Sequence, residues 1–179
     1  MQPKAESRLA AFRRHRDQFL GQDEDSPLTP ADREGFTGID YFPERPDLAF
    51  ELPIDTAGEG VGEVVKLPTS DGDERDFQRA GRVHFDVDGK PATLSVFREV
   101  GRGRFFVPFK DATSGDATYK DGRYLDPRAK PDGTLVLDLN YAYNPYCAYG
   151  DGWSCPLPPA ENVLGVAIEA GERAFARKG

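Results

Sequence analysis

The sequence predicts a mainly β fold: a single-domain roll, barrel-like or sandwich body of seven to eight mostly antiparallel strands behind one N-terminal α-helix. Three observations carry this. Leu9, Phe12, Arg16 and Phe19-Leu20 recur at spacings of three and four within residues 3–20, the period of one helix face. From Phe36 onward, Gly, Pro and Asp punctuate short apolar runs, the signature of strands joined by tight turns. Asp88-Gly89 sits between two alternating runs, Val83-Phe85-Val87 and Ala92-Leu94-Val96. That dipeptide tolerates the positive φ angles of a type I′ turn, so a hairpin is expected there. At 179 residues the chain is expected to be one domain, 1–179, with 3–20 as helix and 36–171 as β-rich body.

The elements follow in order. Gly21 suits a stop just past the first helix. Thr29 is placed to cap a second, one-turn helix with Pro30 at its first position. Residues 48–52 are the first expected strand and 61–67 the second, ended by Pro68. Residues 77–87 enter the hairpin, with His84 opposite Val83 and Phe85 and therefore in solvent. Residues 105–109 are wholly apolar, as a buried strand would be. After the polar stretch 110–123 come Arg123-Tyr124-Leu125 and the turn Asp132-Gly133. Residues 134–139 then alternate, with Leu135, Leu137 and Leu139 on one face. Residues 163–169 are expected to be the last strand, and Gly171 separates them from a polar tail.

Composition narrows the function classes. Acidic residues outnumber basic ones by 31 to 23, a net charge of −8, and such a surface repels phosphate backbones, so no nucleic-acid partner is expected. No run approaches the roughly 18 apolar residues of a membrane helix, and the Arg-rich start has no apolar core of a secretory signal. A cytoplasmic address is the expectation. Asp exceeds Glu by 19 to 12, and only seven of the basic residues are lysine. A GC-rich genome is one source of this bias. A salt-loving cell is the preferred one: acidic surfaces stay hydrated there, and repulsion is screened within a Debye length of roughly 3 Å at 1 M salt.

Residues 134–162 concentrate both cysteines, the single tryptophan and four of the seven tyrosines, Tyr141, Tyr143, Tyr146 and Tyr149, among turn-formers. The run NYAYNPYCAY, followed by CPLPPAEN and VAIEAGE, resembles the domain-of-unknown-function-1684 family of archaeal and bacterial proteins. So do Phe36–Pro43 (FTGIDYFP) and residues 106–126. The resemblance implies a single domain and carries no activity over to any residue.

Four constellations are candidates for chemistry. Cys147 and Cys155 flank a glycine-containing loop and are read as free thiols or as a disulfide, which closing so short a loop would make worth roughly 2.5 kcal/mol. Cys147 is the candidate nucleophile, and two cysteines with two distant histidines leave no metal site expected. Tyr141, Tyr143, Tyr146 and Tyr149, with Asn144, are candidates to wall a ligand pocket, Tyr141 and Tyr143 sharing one strand face; packing of the body's end is the alternative. Lys110, Asp111, Thr113 and Ser114, with Arg123, form a weak anion-binding candidate against a capped loop in which Arg123 pairs with Asp111 or Asp126. Asp138 is a candidate half-buried acid, and Arg123 is its candidate partner. No cofactor is predicted, although a flavin or other anionic ligand would suit such a pocket. The reading preferred here is a small-molecule-binding β domain for a small anionic partner. A cysteine-dependent or redox enzyme and a structural or interaction protein are the alternatives.

Overall fold

The computed structural model describes residues 5–178, so the expected helix residues 3 and 4 lie outside them. Helix α1 spans Arg8–Gln22 and starts where Ser7 turns extended and its hydroxyl accepts the Ala10 N–H. It runs two residues past the expected end: Gly21 lies inside the last turn, and Asp23 closes the helix. Its face buries Leu9 and Leu20. Helix α2, Pro30–Glu34, is capped by Thr29 with proline at its start, as expected.

Among the described residues, eight strands form two antiparallel sheets, of three and five strands, with a half-barrel curl. The three-stranded sheet has the order β1-β8-β7 (Ala49–Leu52, Leu135–Asp138, Arg128–Ala129). The five-stranded one runs β2-β3-β4-β5-β6 (Val64–Pro68, Glu74–Val87, Lys90–Glu99, Phe105–Phe109, Arg123–Leu125). The β3–β4 hairpin turns on Asp88 at φ 50 and Gly89 at φ 78, both in the left-handed region that a type I′ turn demands. A bulge between Arg79 and Gly81 bends β3, and a Cβ on Gly81 would meet the Asp55 carbonyl oxygen at 2.5 Å. His84 is exposed, as expected, and bonds Asp55 and Thr93.

One core fills the space between the sheets: Val83, Phe85, Val87, Leu94 and Val96 face Leu135, Leu137 and Leu139. The opposite face of the large sheet buries a second cluster, Leu67, Phe77, Phe97, Phe106 and Tyr124. Buried on both faces, β5 reads as an unbroken apolar run. A third cluster joins α1 to the tyrosine-rich stretch through Leu20, Leu28, Ala148 and Tyr149.

Two expectations are corrected. Residues 163–169 do not form a ladder strand. They are extended and bury alternate side chains, but only Val163 bridges, in parallel, to Lys110. The Leu164 N–H donates to the Lys110 carbonyl and the Val166 carbonyl accepts the Ala112 N–H, and from Ile168 side chains replace the neighbouring strand. The Ile168 N–H donates to Asp111, and the Arg123 guanidinium donates to the carbonyls of Ile168, Ala170 and Glu172. Tyr141 and Tyr143 do not share a strand face either. Leu139–Tyr141 is a 3₁₀ turn, and Tyr143 pairs singly with Tyr124 beyond it. No helix among the described residues is long and apolar enough to cross a membrane.

Candidate functional site

The predicted site residues divide among three clusters and a groove. Asp111, Thr113, Ser114 and Arg123 form a buried polar knot. Asp111 accepts the Thr113 hydroxyl at 2.8 Å and lies 3.6 Å from Arg123, with both side chains 1% exposed. Burial pulls the Arg123 guanidinium down to about 10, against the pull of Asp111 and Glu172, so it stays charged at neutral pH. Arg123 pairs with Asp111, and not with Asp138. Lys110 contributes backbone bonds to Asn162 and Leu164. These residues fasten the C-terminal segment to the sheet and open no cradle.

Asn144 and Tyr149 belong to a second buried cluster built on Glu172, which is 0% exposed. Glu172 accepts the Asn144 N–H at 2.8 Å, the Tyr149 hydroxyl at 2.7 Å, and both Nε and Nη2 of Arg16 at 2.6 and 3.1 Å. The Asn144 side chain donates to the Arg173 carbonyl and to Tyr149. Burial raises the Tyr149 hydroxyl well above its ordinary pKa, and the Glu172 charge adds to it, so the phenol stays a donor. Arg16 and Glu172 were not among the sequence candidates. The signal was present in the α1 stripe, where an arginine stands at a position whose period calls for an apolar side chain.

The third place is the cysteine corner. Cys147 and Cys155 are free thiols, Cys147 half-buried and Cys155 buried. The Cys147 thiol lies 3.1 Å from the Ser70 hydroxyl and donates to the Trp153 carbonyl at 3.3 Å. His84 is held elsewhere by Asp55 and Thr93, so the base that a cysteine nucleophile would need is not supplied by it. Tyr146 and Trp153 are exposed and meet edge to face at 5.0 Å, with Phe19 stacked on Tyr146.

The groove lies apart from all three. A cavity of about 230 Å³ opens between α1 and the small sheet, lined by Arg8, Phe12, residues 125–128, Val136, Asp138, Tyr141 and Tyr143. Three predicted residues, Asp138, Tyr141 and Tyr143, reach it; Arg8, Phe12, Asp126, Arg128 and Val136 were missed. No local pattern marks the missed ones, because α1 and β8 meet across more than a hundred residues of chain. Phe12 packs on the Tyr141 ring at 4.9 Å. The Tyr143 hydroxyl donates to Asp126 at 2.6 Å, under the Arg16 guanidinium, which lies 5.0 Å from the Tyr143 ring. Desolvation by the surrounding walls raises the Asp126 carboxyl above the usual range, and the Tyr143 hydroxyl partly offsets it. Asp138 spends one oxygen on the Asn140 N–H and side-chain amide, capping the 3₁₀ turn, so its role is in part structural. Among the described residues, no group of three or more His, Cys, Asp or Glu side chains is placed to hold a metal.

Fold and groove together define a mainly β protein whose sheets carry a helix-walled cleft at one end. The chain belongs to the protein family of unknown function DUF1684, whose model matches residues 34–173. It is similar to an uncharacterised protein of Haloarcula marismortui solved by solution NMR: 40% identity, 92% of this chain and 91% of that one covered, and a TM-score of 0.70. No curated protein matches.

Proposed function

We propose that the groove between α1 and β8 binds a small planar molecule carrying an anionic group. One observation carries the reading: Arg8 and Arg128 both line the groove, and neither has an ion-pair partner among the described residues. Both stand close enough to Tyr141 to oppose the rise that burial and Asp138 impose on its hydroxyl. Two such guanidinium groups suit a carboxylate or phosphate, which arginine binds in a fork, and Phe12 and Tyr141 supply apolar faces for a ring.

The test is a thermal-shift screen in molar KCl with aromatic carboxylates, aryl phosphates and flavin mononucleotide, followed by calorimetry on any hit. Val136→Trp, which fills the groove from an exposed position, is expected to abolish binding with little change in melting temperature. Arg8→Gln with Arg128→Gln is expected to weaken binding about tenfold or more, the scale of one lost charged hydrogen bond. If no probe shifts the melt, or if V136W binds as the parent does, the reading fails.

Binding carries a pH signature. The groups facing the ligand are Arg8, Arg128, Asp126, Asp138, Tyr141 and Tyr143, and Asp126 is the acid displaced upward. Lowering the pH through its raised pKa removes a negative charge, so affinity for an anion rises as pH falls. Asp126→Asn is expected to flatten that rise.

We further infer that the protein works in the cytoplasm of a salt-loving cell, in keeping with the halophilic source of its similar structure. The acidic surface then predicts a melting temperature that falls steadily as KCl is diluted from molar to tens of millimolar. A flat salt profile would remove this inference.

A further inference from the structure

We propose that Cys147 and Cys155 form a reversible dithiol–disulfide pair, oxidised by small disulfides through Cys147 first and closed by Cys155. The geometry that points to this is a shared anchor. The Ser70 hydroxyl lies 3.1 Å from the Cys147 sulfur and accepts the Cys155 N–H at 3.0 Å, while the Ser70 N–H donates to the Cys155 carbonyl at 2.9 Å. Ser70 sits in the turn between β2 and β3, so one rigid turn holds both ends of the loop. Ser154 adds a bond to Asp71 of the same turn, at 2.9 Å. With the Cys147 sulfur and the Cys155 backbone N–H held on one hydroxyl, the two cysteines need little backbone movement for their sulfurs to meet.

Exposure assigns the order. Cys147 is half-buried and opens to solvent beside Trp153, whereas Cys155 is buried. The Cys147 thiolate attacks one sulfur of a small disulfide, a sulfur–sulfur bond breaks, and one thiolate leaves. Cys155 then loses its proton and attacks the Cys147 sulfur, expelling the second thiolate. Protein dithiol and one small disulfide thus give protein disulfide and two small thiols, so atoms and electrons balance. Burial, with the neighbouring Cys147 thiol, pushes the Cys155 thiol up to about 12. The closing step is therefore slow at neutral pH and quickens about tenfold per pH unit below that value. Closure locks the loop that carries Trp153, which is the protein's single tryptophan and so a private optical reporter.

The experiment treats the native full chain with oxidised glutathione in molar KCl. Samples are quenched with acid over time, and intact mass and peptide maps are read. The expected result is a transient adduct of one glutathione on Cys147, then a chain lighter by two hydrogens. A Cys147–Cys155 cross-link should join the two peptides, and dithiothreitol should reverse it. Trp153 fluorescence should fall in step with closure. Cys155→Ser should stop at the adduct, and Cys147→Ser should take up little glutathione. The parent chain decides the question even if either variant fails to fold. Accumulation of the adduct alone, bonds only between chains, or two thiols still titratable after prolonged oxidation would each overturn the proposal.

Discussion

Replacing Arg123 by leucine is expected to destabilise the protein by about 3–5 kcal/mol, the range measured when one member of a buried ionic network is deleted. The guanidinium is 1% exposed and donates to three consecutive alternate carbonyls, those of Ile168, Ala170 and Glu172, while facing Asp111. Without it, those carbonyls stay buried with no donor, and Asp111 loses its counter-charge. Each unpaired group contributes about 1–3 kcal/mol, so the total is not offset by leucine's apolar area. Arg123→Lys keeps the charge but cannot span three acceptors with a planar fork, and it should fall between leucine and the parent. Urea denaturation gives the free energies. Hydrogen exchange should show residues 166–172 opening in R123L before the β3–β4 hairpin does. A loss under 1 kcal/mol, with residues 166–172 still protected, would refute the view that this arginine stands in for a strand.

The same residue marks the boundary of what the sequence made legible. The Asp88-Gly89 hairpin, the one-turn helix at Thr29-Pro30 and the buried run Phe105–Phe109 were all readable, because each is written in adjacent residues: a turn dipeptide, a cap, an apolar period. The alternation of residues 163–169 was read as a strand for the same reason, and its burial pattern is right. What alternation cannot encode is the partner. Pairing needs a neighbouring backbone, and from Ile168 the Asp111 and Arg123 side chains occupy that place. The groove fails to appear in the sequence for a related reason. Its walls come from α1 and from β8 with its flanking turns, and only folding brings Arg8 and Phe12 against Tyr141. Of the tyrosine-rich stretch, the sequence marked the right region but could not sort its rings. Tyr141 and Tyr143 face the groove, Tyr149 is locked on Glu172, and Tyr146 lies on the surface. Asn144 shows why: its side chain is consumed by Tyr149 and the Arg173 carbonyl, which turns the chain away from a strand path.

The pair formed by Arg16 and Glu172 should give the second large effect, and a double-mutant cycle can separate charge from packing. Glu172→Gln leaves an acceptor for Tyr149 and the Asn144 N–H but strips the carboxylate from a guanidinium that is only 14% exposed on its side chain. That single change is expected to cost about 3–5 kcal/mol, and Arg16→Met a similar amount, because each strands a buried charge. Removing both charges at once, in Arg16→Met with Glu172→Gln, should cost clearly less than the sum of the two, with a coupling of about 2–3 kcal/mol. The contrast matters because the Arg16 side of the pair lies on α1, the helix that also forms the groove wall. If the charge pair is what seats α1, each single variant should loosen the groove and weaken any ligand found there, and the double variant should regain much of that affinity. Additive losses, or ligand binding that ignores both single changes, would mean that the apolar contacts of Leu9, Phe12 and Leu20 alone hold the helix in place.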